Sequence, residues 1–96
     1  MASGEGPRDD PGEARRRLLA DGLVPLAWSN GPGDRYGWHR HEYRKVLFCV
    51  SGSITFHVVG GDVELRAGDR MDLAPGTEHA ATVGPDGVAC VEAPRW

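Results

Sequence analysis

From Asn30 onward, glycine and proline punctuate this chain so often that no long helix fits between them. Asn30-Gly-Pro-Gly33, Ser51-Gly52, Gly60-Gly61, Ala67-Gly-Asp69, Ala74-Pro-Gly76 and Gly84-Pro-Asp-Gly87 all read as turns, because glycine reaches positive φ freely and proline holds φ fixed. The segments between them have strand character. Val24-Pro-Leu-Ala-Trp28 is the first predicted strand, and Pro25 confines it to an edge or a strand start. Val46–Val50 is an unbroken apolar run, the pattern of a strand covered on both faces. Ile54-Thr-Phe-His-Val58 alternates, and Gly60-Gly61 is a two-residue hairpin signal leading to Val63-Glu-Leu65. Arg70–Leu73 alternates, Ala80–Val83 is short, and Val88–Glu92 closes the chain. Many short strands at regular spacing predict an all-β barrel or sandwich.

The N-terminal part is different. Residues 1–12 are rich in Gly, Pro, Asp and Ser and offer little to bury, so they are expected to form a flexible tail ahead of a single domain over residues 13–96. Glu13–Asp21 is a short helical pattern with Gly22 as its stop and Arg15–Arg17 on its solvent side. A 96-residue chain is one domain. A domain of this size buries only about 60% of the surface its unfolded chain exposes, which makes a homodimer the expected state. A net charge of −3 argues against nucleic acid or an anionic membrane as the main partner. With no apolar run of spanning length and no apolar signal core at the N-terminus, the expected location is the cytoplasm. Cys49 and Cys90 both fall in predicted strands, where buried reduced thiols are the simplest expectation.

The chemistry concentrates in Gly33–Gly52. His39 and His41 are two residues apart at the entrance to the Val46–Val50 strand. On a strand, residues i and i+2 share a face, so both imidazoles can reach one point. Imidazole is the commonest protein ligand for divalent transition metals, and two on one face form half a site. His79, just after the Ala74-Pro-Gly76 turn, is the candidate third ligand. His57 has the opposite parity to Ile54 and Phe56 within its strand and is expected to face outward.

These spacings resemble the two motifs of the cupin superfamily, in particular its compact microbial members. The first motif runs Gly, five residues, His-x-His, three or four residues, Glu, six residues, Gly. Gly33, His39, His41 and Gly52 fall in register with it, and Lys45 stands at the Glu position. The second runs Gly, five residues, Pro-x-Gly, two residues, His, three residues, Asn. Gly68, Gly76 and His79 match it; Pro75 is displaced by one and Val83 replaces Asn. The resemblance covers about residues 28–92. It implies a jelly-roll β-barrel, which the short helix read over Glu13–Asp21 precedes, and it implies that His39, His41 and His79 ligate a divalent metal such as Fe, Mn, Ni or Zn. The superfamily spans dioxygenases, isomerases, decarboxylases and non-catalytic sensors, so the fold alone does not name a reaction.

Lys45 is where the sequence departs from the family. An ammonium beside a divalent cation is a like charge, the reverse of the usual carboxylate ligand. Three arrangements are open: a metal held by three histidines alone, a Lys45 that pairs with a carboxylate (Glu42 and Glu78 being the candidates), or a metal-free pocket in which Lys45 holds an anionic ligand. Tyr43 shares parity with His41 and Lys45, and its hydroxyl is a candidate to orient substrate. Trp38, Phe48, Phe56, Met71 and Leu73 are candidates for an apolar lining. Two functions follow. One is a mononuclear metal cupin acting on a small polar or anionic metabolite, with Tyr43 and Lys45 as its catalytic candidates. The other is a ligand-binding module without turnover.

Overall fold

A computed structural model describes residues 11–96. It contains one helix, α1 (Pro11–Ala20), and six strands: β1 (Leu26–Asn30), β2 (Arg35–His39), β3 (Arg44–Val58), β4 (Gly61–Arg66), β5 (Arg70–Leu73) and β6 (His79–Arg95). The expected tail over residues 1–12 lies mostly outside the described residues. Its last two positions, Pro11 and Gly12, belong to α1, where proline suits a helix start.

Two long antiparallel strands, β3 of 15 residues and β6 of 17, pair with each other along almost their whole length. The N-terminal half of β3 and the C-terminal half of β6 are flanked by β5 and β1, making one four-stranded sheet. The other halves are flanked by β4 and β2, making a second. Both long strands bend at the same level and carry the chain from one sheet to the other, and the two sheets fold over each other as a jelly roll.

The bend explains why two expected turns are not chain reversals. Ser51-Gly52 and Gly84–Gly87 lie inside β3 and β6 as bulges, because each strand keeps its partner on both sides of the break. Gly52 adopts φ 71°, and a Cβ there would lie 1.9 Å from the Gly87 carbonyl oxygen, so only glycine allows the two bends to nest. The bulges also flip the side-chain alternation. Lys45, Leu47 and Cys49 point into the barrel before the bend, and Ile54 and Phe56 after it; on β6, His79, Ala81 and Val83 give way to Val88, Cys90 and Glu92. Elsewhere the boundaries shift modestly. β1 starts at Leu26, directly after Pro25, and is an edge strand as proline requires. The hairpin turn is Val59-Gly60 rather than Gly60-Gly61, since Val58 pairs with Gly61.

Two apolar clusters result. The inner one joins Leu47, Cys49, Ile54, Phe56, Leu65, Val83, Val88 and Cys90. The outer one packs Ala14 and Leu18 of α1 onto Val46, Phe48, Val50, Val91 and Ala93. This is why the Val46–Val50 run is apolar on both faces: one lines the barrel and the other lies under the helix. The arginines of α1 face solvent, with Arg17 pairing to Glu13 one turn earlier at 2.8 Å. Cys49 and Cys90 are directly opposed across β3 and β6, both buried and not disulfide-bonded. Contact with Cys49, together with burial, pushes the Cys90 thiol far up, which keeps it protonated.

Candidate metal centre

His39 is the last residue of β2, a strand of the second sheet separate from the Val46–Val50 strand that the histidine pair was expected to introduce. His41 lies beyond β2 in the connection to β3, so the i, i+2 rule for a continuous strand is not what aligns the pair. Two other features do so. β2 and β6 place His39 directly opposite His79, after a register shift that starts at Tyr36. His41 is fixed through its carbonyl, which accepts the backbone N–H of Gly76 at 2.8 Å and ties its loop to the turn before β6. His79 thus sits on the neighbouring strand, not on one from across the barrel.

The three rings converge. Centroid separations are 4.2 Å for His39–His79, 5.0 Å for His39–His41 and 5.3 Å for His41–His79. One ligating nitrogen from each lies within 4.8 Å of the others. The hydrogen bonds decide which nitrogens these are. A carbonyl oxygen only accepts, so His39 Nδ1 must donate to Gly37 O (2.7 Å) and His79 Nδ1 to Thr77 O (2.9 Å). That tautomer leaves the Nε2 lone pair of each ring directed inward. His41 Nε2 and His79 Nε2 are both buried with no hydrogen-bond partner among the described residues. A buried, unpartnered acceptor costs about 1–3 kcal/mol, so such a pair calls for a ligand. Burial is the main factor lowering the pKa of His41, followed by Lys45 and the neighbouring histidines. Burial likewise lowers His79, against its hydrogen bond to Thr77. Both rings are thereby held neutral, the state a metal requires.

Lys45 points inward and is buried, and its partner is neither Glu42 nor Glu78 but Glu92 of β6, with Nζ 3.1 Å from Oε1. Glu92 faces Leu47 across the β3–β6 ladder, which makes it the diagonal same-face neighbour of Lys45. Trp28 Nε1 donates to the same oxygen at 2.7 Å. Glu92 was missed from the sequence. The available signal was an acid with inward parity in the otherwise apolar Val88–Ala93 segment, which has to find a partner when buried.

These groups line one cavity of about 270 Å³, walled by Leu26, Trp28, Tyr36, Ile54, Phe56 and Ala81 around the histidines, Tyr43, Lys45 and Glu92. Of the apolar lining expected from sequence, only Phe56 is there. Trp38 is 59% exposed, Phe48 belongs to the outer cluster, and Met71 and Leu73 lie along a separate groove of about 540 Å³ that contains none of the three histidines. Tyr43 precedes β3 and stacks on His41, with centroids 4.9 Å apart and 28° between the planes. His57 is turned out of the barrel and bonds to Asp62 and Thr82.

Residues 28–91 match the family described as "Cupin domain", two-thirds of the chain. The chain is a cupin. The cupin is 33% identical over 87 residues to quercetin 2,3-dioxygenase of Bacillus subtilis (strain 168), an alignment covering 83% of this chain and 26% of that enzyme. Among solved structures it is similar to the DMSP lyases RdDddP and RnDddQII (TM-score 0.71, 29% identity, 77% of this chain and 38% of that one). It is also similar to an RmlC-like cupin from Shewanella frigidimarina NCIMB 400 (TM-score 0.67, 25% identity, 75% of this chain and 64% of that one). The cupin therefore spans about a quarter of the dioxygenase and well under half of the lyase.

Proposed function

We propose that this cupin binds one divalent metal ion through His39, His41 and His79 and uses it to bind, and to act on, a small polar or anionic metabolite. The observation that carries the reading is the pair of buried, unpartnered Nε2 atoms of His41 and His79, converging with His39. Fe(II), Mn(II), Ni(II) and Zn(II) all accept imidazole, and a three-histidine set leaves positions open for a ligand. When bound, the metal supplies Lewis-acid polarisation or oxygen activation. The chain's own residues do the rest: Tyr43, stacked on His41, and Lys45, anchored by Glu92, orient the substrate. At about 270 Å³ the cavity falls just below the usual range of ligand pockets, about 300–1,000 Å³, and this suits a small metabolite rather than a large cofactor. The similar proteins support the same reading, being a quercetin dioxygenase and DMSP lyases, both named for small-molecule substrates.

The alternative, a metal-free module in which Lys45 holds an anion, is weakened because it leaves the buried Nε2 atoms of His41 and His79 without a partner. The reading includes a cytoplasmic homodimer. Leu26 and Trp38 stand exposed on the two strands that flank β6, and light scattering on the purified chain tests the dimer. Metal analysis of untagged protein after loading tests the central claim, with about one equivalent expected. Less than about a tenth of an equivalent with every one of the four metals overturns it.

A further inference from the structure

The Lys45–Glu92 pair gives this pocket a recognition element that the three histidines do not. Oε1 of Glu92 takes both the Lys45 Nζ contact at 3.1 Å and the Trp28 Nε1 bond at 2.7 Å. Oε2 has no partner among the described residues, and a carboxylate oxygen can only accept. Lys45 makes no ion pair beyond Glu92 among the described residues, so part of its donor capacity remains for a ligand. Side by side in a 270 Å³ cavity, the two offer one charged acceptor and one charged donor to whatever lies against the histidines.

A ligand that matches this arrangement brings an O–H for Glu92 and an anionic oxygen for Lys45. One that offers only acceptor oxygens sets a lone pair against the carboxylate, which a buried site penalises strongly. Trp28 fixes the carboxylate orientation, so Glu92 cannot swing away without losing that bond. We propose that Glu92 is the specificity-determining residue of this pocket and selects small hydroxy acids, whose hydroxyl donates to Oε2, over the corresponding oxo acids and dicarboxylates. This deepens the metal-binding reading and rests on it.

Lactate and pyruvate differ mainly in having a hydroxyl or a carbonyl at C2, which makes them the discriminating probes. The full chain is loaded with Zn(II), its zinc content is measured first, and each acid is then titrated by calorimetry or NMR. Loss of the zinc itself would refute the metal reading, separately from this proposal. With zinc bound, lactate is expected to bind about tenfold or more tightly than pyruvate, the size of one charge-assisted hydrogen bond. In Glu92→Gln that preference falls to within about twofold with zinc content unchanged. Should Glu92→Gln fail to fold, the charge-free pair Lys45→Met with Glu92→Gln replaces it, with the same expectation. Equal or tighter binding of pyruvate by the unaltered chain, binding of neither acid, or a lactate preference that survives loss of the carboxylate overturns the proposal.

Discussion

The two faces of the β3–β6 ladder are built from the same strands and carry opposite logic. The outer face is apolar along the first sheet, Val46, Phe48, Val50, Val91 and Ala93, and α1 closes it with Ala14 and Leu18. The inner face begins in the same way around Leu47, Cys49, Val88 and Cys90, then turns polar at Lys45, Glu92 and His79, which remain buried or nearly so. Burying polar groups costs free energy that the outer face avoids. The difference teaches that the outer face is organised for stability, while part of the inner face gives up stability at the candidate site.

The largest expected effect that could break this comparison is on metal affinity. His41→Ala is expected to lower it at least a hundredfold, read by competition with a chromophoric chelator, while the melting temperature of the metal-free chain stays level or rises, because an unpartnered buried nitrogen is removed. A clear fall in the metal-free melting temperature would mean that the inner face is structural after all.

Leu18→Ala on α1 is the mirror experiment. It is expected to cost about 2–5 kcal/mol in denaturant unfolding and to leave metal stoichiometry unchanged, since Leu18 is fully buried in the outer cluster. Lys45→Met is expected to cost about 3 kcal/mol by stranding Glu92, and adding Glu92→Gln should restore most of it. A double-mutant cycle checks this, and additive losses would show that the two residues do not act as a pair.

The smallest expected effect is on pH dependence. Burial lowers the His41 and His79 pKa values below 6.5 in the folded chain, so from pH 7 downward the unfolded chain takes up protons first. Stability of the metal-free chain therefore falls as pH drops through 6.5 toward the lowered folded values, and it recovers as pH rises. Asp72, held down by its hydrogen bond to Arg70, loses its contribution only near and below 3.8, so the two windows separate in a melting-temperature profile. In His41→Ala the upper window should shrink.

Much of the candidate site was legible because its signals are local. The His-x-His pair, the turn before His79 and the strand punctuation are each contained in a few residues, and the motif spacings joined them. Glu92 was not legible as the partner of Lys45. The residues are 47 apart in sequence, and only the register that sets Leu47 opposite Glu92 makes them diagonal neighbours. The same applies to Ser51-Gly52 and Gly84–Gly87. Their composition says turn, but whether a chain reverses or merely kinks depends on whether its partner strand continues past the break.

Local chemistry by itself determined an all-β chain, since side-chain type and backbone preference act within a few residues, and the spacing of its glycines and three histidines carried the resemblance to cupins. Tertiary structure alone decided that Lys45 faces inward, that Glu92 neutralises it, and that His39 meets His79 across a ladder. Those outcomes depend on register, and register is set by the packing of whole sheets rather than by any one segment.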